Sequence, residues 1–160
     1  MPTPITALGF VHTAASLMAI GSAVVCFVRA GAITPRSTAG LIYIGATLVT
    51  TVTALWIFQH GGFGPGHALA ILTLVALAIG LVCSWSAPFG RLTRAVQTAA
   101  FSSTLLFHAI PGVTEALTRL PPDAPVFASA QAPQFKPIYA VLLVLFVVGL
   151  VFQLRRQHKS

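Results

Sequence analysis

Apolar runs of about twenty residues, broken by short segments that hold most of the basic residues, divide this chain of 160 residues. A run of that length matches the hydrocarbon thickness of a bilayer when helical. Four such runs stand out, at about 7–28, 39–59, 68–87 and 137–154. A fifth, at about 95–116, is more polar and reads AVQTAAFSSTLLFHAIPGVTEA. The breaks between them, RAGAITPRS, HGGFGPGH, SAPFGRLTR and TRLPPDAPVFASAQAPQFKP, are rich in Gly, Pro and charge. Only 7% of the residues are charged and 56% are hydrophobic, whereas soluble domains carry about 25% charged residues. The chain therefore reads as one transmembrane domain over 1–160, with no room for a second folded unit. A net charge of +7 is explained by topology and lipid headgroups rather than by nucleic acid.

Charge decides whether the weak fifth run crosses. With five spans, Arg29, Arg36, Arg91, Arg94, Arg155, Arg156 and Lys159 share one side, against Arg119 and Lys136 on the other. That asymmetry is a strong positive-inside signal; four spans would move the tail away from the other arginines. The expectation is an all-α bundle of five transmembrane helices, N-terminus outside and C-terminus cytoplasmic, in a bacterial inner membrane. The first run lacks a basic n-region and is too long for a signal-peptide core, so it stays as a span. Tyr43 and Trp85 fall near the inner interface, Trp56 and Tyr139 near the outer one, where amphipathic rings prefer to sit. The loop at about 118–136 is rich in Pro and Ala and fits the membrane surface. Cys26 and Cys83 lie inside apolar runs and form no CxxC pair, so they read as small packing residues.

Helical spacing identifies the inward faces. On the first span His12, Ser16, Ala19, Ala23 and Cys26 form one stripe with Ala15 and Ser22 beside it, opposite Leu17, Ile20, Val24 and Phe27. Small residues of this kind mark helix contacts in lipid. The second span carries Thr47, Thr50, Thr51 and Thr53, leading towards His60. The third carries Ala70, Thr73, Ala76, Gly80 and Cys83, with His67 at its mouth. On the fourth, Gln97, Thr104, His108 and Glu115 share one face, which must meet protein or a water-filled cavity. Pro111-Gly112 lies between the last two and frees the Phe107 carbonyl, so the helix is expected to kink or end there.

Four of the five histidines, His12, His60, His67 and His108, then fall on the outer side with the two acids, Glu115 and Asp123. His158, in the tail, reads as solvated. Imidazole and carboxylate suit Zn, Cu or Fe. His12, His108 and Glu115, supported by His67 and His60, would supply enough ligands for a transition metal ion. His12 and His108 on facing helices would suit a b-type haem. A His/Glu chain would also serve to relay protons or hold a quinone headgroup. Bland readings stand beside these: interfacial loop positions for His60 and His67, an intramembrane hydrogen bond to Thr or Ser for His12, and an i,i+4 pair with Arg119 for Glu115.

The segment from Phe107 to Pro121, FHAIPGVTEALTRLP, resembles a family of small bacterial inner-membrane proteins of uncharacterised activity. HTAASLMAIG, beginning at His12, and GGFGPGHALAILTL, containing His67, are similar to it as well. The resemblance covers most of the chain and implies a multi-span bacterial membrane protein without implying an activity. Relatives carry a histidine shortly before a Gly-x-x-Tyr at the start of the second span. Here the stretch Pro35 to Tyr43 has none.

The leading expectation is a small membrane protein with an outer-facing His/Glu site for a metal ion (Cu, Zn or Fe) or haem b, with the metal ion favoured because a carboxylate is present. An accessory subunit of a larger membrane complex or homo-oligomer, without a cofactor, is the competing class. A proton-coupled carrier comes third, since no charge lies near the bilayer centre and no inverted repeat is visible. No motif for hydrolytic catalysis is present.

Overall fold

The helix starts are written in the residues that precede them. Thr6 and Ser37 each turn a side-chain oxygen to the third residue onward, accepting from Gly9 N at 3.1 Å and Gly40 N at 3.0 Å, which satisfies donors the helix leaves open. The computed structural model describes residues 6–58 and 62–157. Among these, the long helices are α1 (Ala7–Ala30), α2 (Thr38–Leu55), α3 (Pro65–Trp85), α4 (Thr93–Arg119) and α5 (Phe135–Gln157), with a 3₁₀ turn at Gly90–Leu92 leading into α4. The described residues contain no strand. Four of the helices, α1, α2, α3 and α5, are long and apolar enough to cross a membrane. With 27 residues, α4 has the length, but its polar stripe takes it out of that group.

Packing follows the small-residue faces. α1 lies on α2, α2 on α3 and α3 on α4; α4 also touches α5 and α1. The central cluster joins Ala19, Ala23 and Cys26 of α1 with Tyr43 and Ala46 of α2, Leu77 of α3, Phe101 of α4 and Ile33 of the first connection. Ala15, Ala19, Ala23 and Cys26 of the α1 stripe are buried and His12 and Ser16 half-buried, while Leu17 and Val24 are exposed. Phe27, expected to face away, instead packs on the edge of the cluster. Gly80 makes the α3–α4 contact close: a Cβ there would come within 2.8 Å of the Phe101 ring. Both cysteines are buried and free.

Two expectations are corrected by the fold. Tyr43 is not an interfacial ring. It is fully buried, and its hydroxyl donates to Thr104 Oγ1 at 2.6 Å, because α4 offers an acceptor at the depth its side chain reaches. Of the kink or end expected at Pro111, the end does not occur: α4 continues to Arg119. Proline removes one N–H, but the helix beyond it is supported by Thr114 and Thr118 hydroxyls bonded to the carbonyls four residues back, Ile110 and Thr114, at 2.8 and 2.7 Å. Trp56 and Trp85 are exposed, as rings at an interface would be. The connection after α4 folds back on it, with Phe127 N bonded to Leu117 O at 2.9 Å and Phe127 packed edge-on against buried Phe135.

Candidate functional site

His12 and His108 are held by the same atom in the same way. The Nδ1–H of His12 donates to the Thr50 carbonyl at 3.0 Å, with Thr53 Oγ1 beside it at 3.1 Å. In His108, Nδ1–H donates to the Thr104 carbonyl, one turn back on its own helix, at 2.8 Å. A carbonyl only accepts, so the proton of each neutral ring sits on Nδ1 and the lone pair on Nε2. An Nδ1–H bonded to a backbone carbonyl is the usual support of an imidazole that ligates through Nε2.

His108 is 6% exposed, and its Nε2 is buried without a hydrogen-bond partner among the described residues. Leaving such an atom unpaired costs about 1–3 kcal/mol. The Thr47 hydroxyl is a second buried polar atom without a partner. Tyr43 stands between them. Its hydroxyl bonds Thr104 and lies near Thr47, and its ring centroid is 6.4 Å from that of His108. Two unsatisfied polar atoms thus gather around one tyrosine in the interior of the bundle.

The other expected members behave differently. Glu115 is 56% exposed on its side chain and pairs with Arg119 one turn on, the reading in which it serves no site. His67 is buried, its ring stacked on Phe63 at 5.3 Å and tilted against Phe58 at 4.7 Å. Its Nε2, like that of His108, is buried without a partner among the described residues, but its polarity is reversed. Gly64 N–H donates to His67 Nδ1 at 3.2 Å, so the neutral ring carries its proton on Nε2 and offers a donor there. His60 and His158 lie outside the described residues. Asp123 is exposed in the connection after α4. Among the described residues no three His, Cys, Asp or Glu side chains are grouped as a metal site.

Sequence reasoning missed Tyr43 and Thr47 as neighbours of the site. The available signal was the i,i+4 spacing of Tyr43 and Thr47 on the threonine face, outweighed by the place of Tyr43 near a span end. Comparison with family models, with curated proteins and with solved structures gave no match.

Proposed function

We propose that this chain is a five-span protein of a bacterial inner membrane, N-terminus outside, which holds a transition metal centre near the outer leaflet through Nε2 of His12 and His108. The observation that carries the reading is the buried, unpartnered Nε2 of His108, with Nδ1 already committed to a backbone carbonyl. His12 supplies a second imidazole in the same tautomer. Its short reach from the α1 N-terminus, about one and a half turns, supports an outer placement. The 27 residues of α4 span about 40 Å at 1.5 Å per residue, enough to cross, and its Thr98, Ser102, Thr104 and His108 face protein. Seven basic residues at one end against two at the other support the orientation.

A metal ion is favoured over haem, though no longer because of Glu115, whose carboxylate is engaged by Arg119. The reason is room. A porphyrin-sized ligand takes a pocket of roughly 300–1,000 Å³, whereas an ion needs only the space beside the buried Nε2 of His108. Remaining coordination positions fall to water.

Metal analysis and a visible spectrum of the detergent-purified protein test the proposal, repeated for His12→Ala and His108→Ala. The expected result is stoichiometric Cu, Zn or Fe whose affinity falls at least about tenfold in each variant. A Soret band lost in both variants would replace the ion by haem. A colourless, metal-free protein that takes up none of these ions would overturn the reading and leave an accessory subunit.

A further inference from the structure

The protons around Tyr43 can be counted, and the count is uneven. The Thr104 hydroxyl gives its one proton to the Phe101 carbonyl at 2.7 Å. Towards Tyr43 it can therefore only accept, so the phenol spends its own proton on their 2.6 Å bond. The phenol oxygen is left with lone pairs and takes no donor among the described residues. His108 stands in the same condition. Its Nδ1–H is given to the Thr104 carbonyl at 2.8 Å, and its buried Nε2 keeps a lone pair without a partner among the described residues. Two acceptors, both anchored on Thr104, thus lack donors.

Thr47 completes the set. It follows Tyr43 by one turn on the same face of α2, and both are fully buried. Its hydroxyl, also without a partner among the described residues, has one proton to give. Thr51, one turn further on, differs: its hydroxyl is turned back to the Thr47 and Leu48 carbonyls at 2.9 and 3.0 Å. Two acceptors and one hydroxyl call for a group that donates twice and accepts once. It must also be small, because the Tyr43 and His108 ring centroids are 6.4 Å apart. A fully ionised anion has no proton to give, and an ammonium has no lone pair. Water has both, and bonds of about 2.8 Å on either side suit a bridge between the two rings. Buried waters typically make about three bonds to polar atoms that would otherwise be unpaired.

We propose that Tyr43 and Thr47 hold one water molecule against Nε2 of His108, and that this water becomes a ligand of an ion bound there. The second half rests on the metal reading; the first stands without it.

The test begins with the metal-free full chain in detergent micelles, its histidine nitrogens isotope-labelled. The readout is the Nε2 resonance of His108, which moves downfield when its lone pair loses a hydrogen bond. Thr47→Val and Tyr43→Phe remove a hydroxyl and keep the bulk of the side chain; each should move the resonance downfield. Thr51→Val should leave it in place, and Thr47→Ser, which keeps the hydroxyl, should match the wild type. If Tyr43→Phe does not fold, the Thr47 series decides alone. A resonance that Thr47→Val leaves unmoved, or that Thr51→Val moves equally, would overturn the water. In a second arm Cu(II) is added. Thr47→Val is expected to lower its affinity about tenfold, as loss of an outer-shell partner does, while His108→Ala removes the site itself. Unchanged copper affinity in Thr47→Val would overturn the water as a ligand. A wild type that takes up no copper would overturn that half together with the metal reading, and the first arm would still decide the water.

Discussion

α4 and α5 are neighbours of similar length with opposite characters. α4 is the more polar, and it is the better buried: Thr98, Ala100, Phe101, Ser102, Thr104 and His108 all lie inside. α5 is strongly apolar, yet only Phe135 and Gln153 are buried. In water that order would be inverted. In lipid the outside is as apolar as leucine, so hydrophobicity pulls no helix inward, while each hydroxyl and imidazole must find protein. Polarity therefore marks the interior helix, and α5 leaves most of its surface outside the bundle.

The sharpest way to break this comparison is to remove the same side chain from each helix. Phe101→Ala, at a site 1% exposed, is expected to cost about 3–5 kcal/mol. Phe152→Ala, at 65% exposed, should stay within about 0.5 kcal/mol. Reversible unfolding in mixed micelles measures both; similar losses would mean that α5 is covered by another protein surface.

Glycine gives a smaller contrast. Gly80→Ala on α3 pushes a Cβ into the Phe101 ring and should destabilise by about 1–3 kcal/mol through overpacking. Gly149→Ala on α5 meets nothing within 4 Å and should be neutral or stabilising by up to about 1 kcal/mol. Thermal midpoints that fell together in the two variants would place a packed partner against Gly149.

The weakest expected effect tests the contact between the two helices. Ser102 Oγ donates to Gln153 Oε1 at 3.1 Å, and interhelical bonds of this kind average about 0.6 kcal/mol in membranes. Ser102→Ala should cost that much, Gln153→Leu slightly more, and the double variant less than their sum. Strict additivity in this cycle would show that the bond contributes nothing.

Much of this was legible in the residues. The burial of Ala19, Ala23 and Cys26, the buried threonines of α2 and the inward Thr104 and His108 follow from spacing, because a helix in lipid hides its small and polar positions on one stripe. Legibility failed where the answer depended on another helix. Tyr43 read as an interfacial ring until Thr104 of α4 supplied an acceptor. Gln153 and Gln157 drew no notice until Ser102 and Thr98 stood opposite them. Pro111 read as a break, yet the turns beyond it are held by their own threonines.

The candidate site divides along the same line. Sequence placed His12 and His108 on inward stripes and Glu115 on the same face as His108. The structure gives the carboxylate a partner within its own helix, Arg119 one turn on, which the sequence had offered as the alternative reading.

By itself, the sequence determined the material and the periodicity: apolar runs long enough to cross a bilayer, the stripe each helix turns inward, and the end at which basic charge collects. These are local or compositional properties, settled by the cost of exposing polar groups to lipid. The tertiary structure alone decided which ring nitrogens are free and which polar atoms among the described residues lack partners. Those depend on the rotation and depth of each helix against its neighbours, set by contacts between residues far apart in the chain.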